Sequence, residues 1–160
     1  MLSPEIYSFL AAAGVQFKVH DHSPIVSFSD AKSVLPFDPG SMVKGLAFPL
    51  PNQAYAIVGM CAADRADYKK IGDTLGLRRT DLRATEPEEV VQTLHVMPGG
   101  VVPLPINGAS VVFDLRVIEL DTIYCGSGRT DTTLEIAAAD LVRIAGSRFA
   151  DLTKPQTPEE

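Results

Sequence analysis

Lys44 sits in the otherwise apolar stretch Met42-Val43-Lys44-Gly45-Leu46-Ala47-Phe48. Burying an ammonium there is costly unless it meets an anion, a group of carbonyls or water. Two readings are open. The lysine snorkels from an exposed strand face, or it aims a cation into a pocket, with Gly45 leaving room for a ligand against the backbone. A second candidate is Gly99-Gly100-Val101-Val102-Pro103. Paired glycines adopt backbone conformations closed to other residues and Pro103 fixes the exit, so the segment is either a ligand-facing loop or an ordinary surface turn. The third candidate, Gly126-Ser127-Gly128, follows an apolar run and reads as an anion-binding nest of amides or as the bend ending a strand.

His20, His22 and His95 lack metal-ligand spacing with Cys61 and Cys125, so no metal is expected. Cys125 is read as an inert buried thiol in preference to a nucleophile beside His95. No Ser-His-Asp order stands out. No G-x-G-x-x-G follows the first strand and no G-K-[ST] occurs, so no nucleotide cofactor is expected.

The elements that must position these residues are legible from periodicity and breakers. Ser3 and Pro4 open a helix whose apolar face is Ile6, Phe9, Leu10 and Ala13, and Gly14 ends it. Val15, Phe17 and Val19 alternate with polar residues as in a half-buried strand. After the turn His22-Ser23-Pro24, a short helix starts at Ser27 or Ser29 and runs to Leu35, and the chain breaks over 36–40. Strands are predicted over 42–50 and 54–60 around Pro51-Asn52, then a helix over 67–75 stopped by Gly76. Thr85-Glu86-Pro87-Glu88 reads as a capping box for a helix to Leu94. A loop spans 97–105, strands cover 110–113, 122–125 and 133–136, and a helix over 138–145 ends at Gly146.

The chain has 160 residues, enough for one domain, expected over 1–152 with a disordered polar tail over 153–160. Strands interleave with helices, yet some follow each other directly. The predicted fold is therefore mixed α/β, with a mixed, partly barrel-like sheet and helices outside. No apolar run approaches the ~20 residues of a membrane span, and Met1 to Glu5 carry no basic leader. Two distant cysteines suit a reducing cytoplasm. The formal net charge of −6 argues against non-specific coating of nucleic acid, DNA included. Lys69, Lys70, Arg78, Arg79 and Arg83 nevertheless cluster in one short stretch, either as a phosphate-facing surface or as a solvated helix face.

Four segments occur in a telling order: Val43-Lys44-Gly45-Leu46, the G-x-x-x-P loop from Gly99 to Pro103 with Leu104, Val111-Val112-Phe113-Asp114, and Cys125-Gly126-Ser127-Gly128. In that order the chain resembles the YbaK-like family, which includes the editing domain of prolyl-tRNA synthetase, over roughly 4–145. The resemblance implies a free-standing hydrolase of mischarged aminoacyl-tRNA, acting on alanine, cysteine or a similar small residue, most often on proline tRNA. It places Lys44 at the family's catalytic lysine and Gly99 to Pro103 at its substrate loop, with Asp114, Gly126, Ser127 and Gly128 beside them. Aminoacyl-tRNA is the implied partner, with an aminoacyl-tRNA synthetase as a second. The chain has Thr93-Leu94-His95-Val96 where relatives often carry Thr-Gly, and Gly45 where many have Thr or Ser. A non-catalytic binder of tRNA or synthetase on the same fold is the alternative.

Overall fold

A computed structural model describes residues 2–25, 27–51, 54–97, 100–145 and 148–155. Helix α1 (Pro4–Ala13) leads to β1 (Phe17–Asp21), α2 (Phe28–Val34), β2 (Val43–Pro49), β3 (Tyr55–Cys61) and α3 (Tyr68–Leu75). A single turn, α4 (Pro87–Glu89), continues as π-helix over Val90–Leu94. Then come β4 (Ala109–Asp114), β5 (Thr122–Cys125), β6 (Thr132–Ala137), α5 (Ala138–Ile144) and β7 (Arg148–Ala150).

The strands form two sheets, β1-β6-β5 and β2-β3-β4-β7. The first is antiparallel, with Phe17 opposite Ile136 and Cys125 opposite Leu134. In the second, β2 and β3 form a hairpin, while β3–β4 and β4–β7 are parallel. The mixed α/β fold is as predicted. Among the described residues the sheets do not close into a barrel; a parallel bridge between Met42 and Tyr124 connects them.

The four-stranded sheet is buried on both faces, and period-two alternation sorts its side chains. Val43, Ala47, Ile57, Val111 and Phe113 face a core shared with Ile6, Leu10, Ile123, Leu134, Ile136 and Leu141. Phe48, Val58, Met60 and Val112 face a second cluster completed by Ile71, Leu82 and Leu152. Each such large side chain contributes about 1.5–3 kcal/mol when fully buried.

Local signals placed most elements. Gly14 and Gly76 end α1 and α3 in the left-handed conformation, at φ 70° and 72°. Ser27 caps α2, its Oγ accepting from the Asp30 amide at 3.1 Å. Three details differ from expectation. The capping box sits one residue later, between Glu86 and Glu89, because the Thr85 hydroxyl and amide both donate to the Ala47 carbonyl. Strand β1 is shifted to 17–21, set by its pairing with β6. Packed chain runs past Leu152: Thr153 is 1% exposed and bridges Ala66, and Lys154 donates its amide to Arg65 O. Asn52, Gly146 and residues 156–160 lie outside the described residues.

Candidate active site

Strand β2 carries Lys44 to the wall of a cavity of about 350 Å³. The same cavity is lined by Val101 from the loop, Tyr124, Cys125 and Gly126 at the end of β5, Thr132 and Thr133 from β6, His22, and Phe28 and Ala31 from α2. The Lys44 ammonium donates to the Asp64 carbonyl at 2.7 Å. An ammonium has three hydrogens, so this bond orients the group and leaves others for a ligand. Burial holds Lys44 below its ordinary lysine range, opposed by the negative charge of Asp64. The Asp64 carboxylate is itself buried and meets Arg116 at 3.4 Å.

The two glycine segments are clasped together. Met97 donates its amide to Gly128 O and Gly128 donates to Gly100 O, each at 2.9 Å. A Cβ on Gly126 would stand 2.5 Å from Val101 O and 2.7 Å from Gly100 O. The room beside Gly45 is filled by the same loop, since a Cβ there would lie 3.0 Å from Val101 O. Close approach of three backbones therefore builds this wall.

The structure gathers Lys44, Val101 and Gly126 at the cavity. Gly100, Val102 and Pro103 are buried behind it, and Gly99 lies outside the described residues. The amide of Gly128 is committed to the clasp, and the Ser127 hydroxyl, fully buried, pairs with Thr132 Oγ1 at 2.6 Å. Asp114 is not among the lining residues; its carboxylate receives the amides of Leu152 at 2.8 Å and Arg116 at 3.1 Å.

The basic stretch divides. Lys69, Arg78 and Arg79 border one depression beside Tyr68 and Gly76, with the Arg79 guanidinium 4.9 Å from the Tyr68 ring centroid. Lys70 is paired with Asp151 at 2.8 Å and Arg83 with Glu89 at 2.7 Å.

Burial pushes the Cys125 thiol up to about 12 and the Cys61 thiol up to about 11, the latter helped by the charges of Asp64 and Asp114. Both are protonated at neutral pH, so neither offers a thiolate nucleophile. Among the described residues, no group of three His, Cys, Asp or Glu is placed to hold a metal ion. No described helix is long and apolar enough to cross a membrane.

The aminoacyl-tRNA editing domain family matches the chain over residues 22–144. The chain belongs to that family. Solved structures agree on the fold. A hypothetical protein, APE2540, is 21% identical with a TM-score of 0.83, over 94% of this chain and 99% of the other. A candidate trans-editing enzyme for prolyl tRNA synthetase is 21% identical with a TM-score of 0.80, over 97% and 100%. A candidate signal transduction protein from Marinobacter aquaeolei shares the fold at 21% identity and a TM-score of 0.70, over 96% of this chain and 31% of the other.

Sequence reasoning missed several contributors to the editing domain's cavity and its lysine, Arg129, Thr130 and Tyr124 among the lining residues, and three matter most. Asp64 anchors Lys44 through a backbone carbonyl, which carries no residue signature. By sequence His22 reads as part of a turn and Thr133 as plain strand. His22-Ser23-Pro24 did hold a hint, since a histidine beside a turn has carbonyls within reach.

Proposed function

We propose that the chain is a trans-editing aminoacyl-tRNA deacylase that hydrolyses the ester of a small amino acid, alanine first, on proline tRNA. The observation carrying this reading is Lys44, a half-buried ammonium oriented by Asp64 O on the wall of a small cavity, in a chain of the editing family. An aminoacyl ester is already activated, so positioning and charge stabilisation suffice. Water attacks the carbonyl carbon, positioned with help from the neighbouring ribose hydroxyl, and gives up its proton to the departing ribose oxygen. Negative charge develops on the carbonyl oxygen and the Lys44 ammonium stabilises it. The ribose oxygen leaves with a proton, and after water is consumed the products are a free amino acid and uncharged tRNA. One well-aimed donor contributes roughly 3–4 kcal/mol to such a step. The two unpaired thiols suit work in the reducing cytoplasm, where tRNA is charged.

Size sets the choice of amino acid. The cavity lies near the lower end of the usual range for ligand sites, about 300–1,000 Å³. The Val101 wall rests on Gly45 and Gly126 backbone, which leaves little give. A methylene is worth only ~1–3 kcal/mol as a lost contact, while collision with a rigid wall excludes more strongly. Single-turnover assays at equal enzyme concentration should release alanine at least tenfold faster than proline from proline tRNA. Equal rates, or activity on larger residues alone, would refute the small-pocket assignment; no release from any charged tRNA would refute the deacylase.

The depression bordered by Lys69, Arg78 and Arg79 is the proposed tRNA-facing surface, with Lys70 and Arg83 flanking it. Affinity should fall by roughly 0.7–0.9 log units per log unit of salt for each phosphate contact. Lys69→Gln, Arg78→Gln and Arg79→Gln together should flatten that slope by about two to three contacts' worth. An unchanged slope moves the tRNA to another face.

A further inference from the structure

We propose that Thr133 receives the α-ammonium of the aminoacyl group, and that His22 makes it able to do so. This rests on the deacylase reading above. No Asp or Glu stands among the residues described as lining the cavity. A substrate ammonium entering it must therefore be met by neutral oxygens, since a buried cation needs acceptors.

The geometry singles out one of them. His22 Nδ1 lies 2.7 Å from the Ser23 carbonyl, and Nε2 lies 2.7 Å from Thr133 Oγ1. A carbonyl only accepts, so Nδ1 carries the hydrogen, and in that tautomer Nε2 is bare. The Thr133 hydroxyl must then donate to Nε2. With its hydrogen committed, Thr133 Oγ1 meets any further partner as an acceptor alone, and donation to the imidazole enriches its oxygen. A freely rotating hydroxyl would serve donors and acceptors alike; this one prefers a donor, and an ammonium most of all. Thr133 is 9% exposed and, with His22, lines the same cavity as Lys44. The site then has two poles: Lys44 for the developing oxyanion and Thr133 for the ammonium, with His22 a positioning residue.

The test compares alanyl-tRNA with lactyl-tRNA, whose hydroxyl replaces the ammonium. Each rate is taken relative to that ester's spontaneous hydrolysis. The wild type should accelerate the alanyl ester roughly ten- to hundredfold more than the lactyl ester. Thr133→Val should bring this ratio close to one, Thr133→Ser should restore most of it, and His22→Phe should lower it. A folding defect reduces both rates together and leaves the ratio in place, so the ratio isolates recognition. Equal acceleration of both esters by the wild type, or an unchanged ratio in Thr133→Val, overturns the assignment while the deacylase stands. Failure to hydrolyse either ester brings down the deacylase reading and this inference with it.

Discussion

Lys44→Ala is expected to lower single-turnover release of alanine from tRNA by roughly a hundred- to a thousandfold, the loss of one oxyanion-stabilising donor. The fold should survive. Lys44 is half-buried on β2, and its backbone pairing opposite Met60 does not depend on the side chain. Truncation removes an ammonium whose burial is unfavourable, as its lowered pKa indicates. It also strips the Asp64 carbonyl of a donor, a loss of about 1–3 kcal/mol if no water replaces it. The two effects oppose each other, so the melting temperature should move by a few degrees at most. Lys44→Arg keeps the charge but cannot keep the geometry, because a planar fork replaces a point charge; it should recover only a small part of the rate. Circular dichroism paired with the kinetics decides the matter. A folded Lys44→Ala protein with near-normal turnover removes Lys44 from the chemistry.

The second large effect is expected at the clasp. A methyl group on Gly126 would meet two carbonyl oxygens of the facing loop, Val101 O at 2.5 Å and Gly100 O at 2.7 Å. These are backbone atoms, not the far ends of flexible side chains, so the loop itself must shift. Gly126→Ala should therefore push Val101 away from Gly45 and open the cavity wall. It should destabilise the protein by about 1–3 kcal/mol and reduce alanine release at least tenfold. Discrimination against proline should fall with it, since a displaced wall no longer collides. Gly100→Val attacks the same clasp from the other side, where a Cβ would stand 2.8 Å from Arg129 N and 2.9 Å from Gly128 C. Gly40→Ala is the control: a Cβ there comes no closer than 3.5 Å to the Asp38 side chain, and both readouts should stay unchanged. Thermal melts and the alanine-to-proline rate ratio report the outcome. A Gly126→Ala protein with wild-type stability and ratio would show that the clasp does not shape the pocket.

Much of this is legible in the sequence, because it is encoded locally. Helix ends at Gly14 and Gly76 follow from a left-handed conformation that a Cβ disfavours, and the sheet strands follow from runs of apolar residues with period two. Lys44 stood out for the same reason: a charge inside an apolar strand is a conflict visible within seven residues. The family resemblance rested on four such local segments in order, and it named the fold.

Tertiary structure decided the rest, because it depends on which distant residues meet. The glycines at 100 and 126 are needed for each other's sake, as two backbones approach within the space of a methyl group. Strand β7 is three residues long, too short for periodicity to register, and exists by pairing with β4. The tail beyond Leu152 looks disordered by composition, yet Thr153 is fixed by Arg116 and Ala66. Asp64 orients the lysine through a carbonyl that every residue possesses. His22 and Thr133 stand 111 positions apart, each unremarkable alone. Periodicity and turn chemistry report what a segment does with its own backbone. Hydrogen bonds between side chains on different strands are set by register and sheet order, and those exist only once the whole chain has packed.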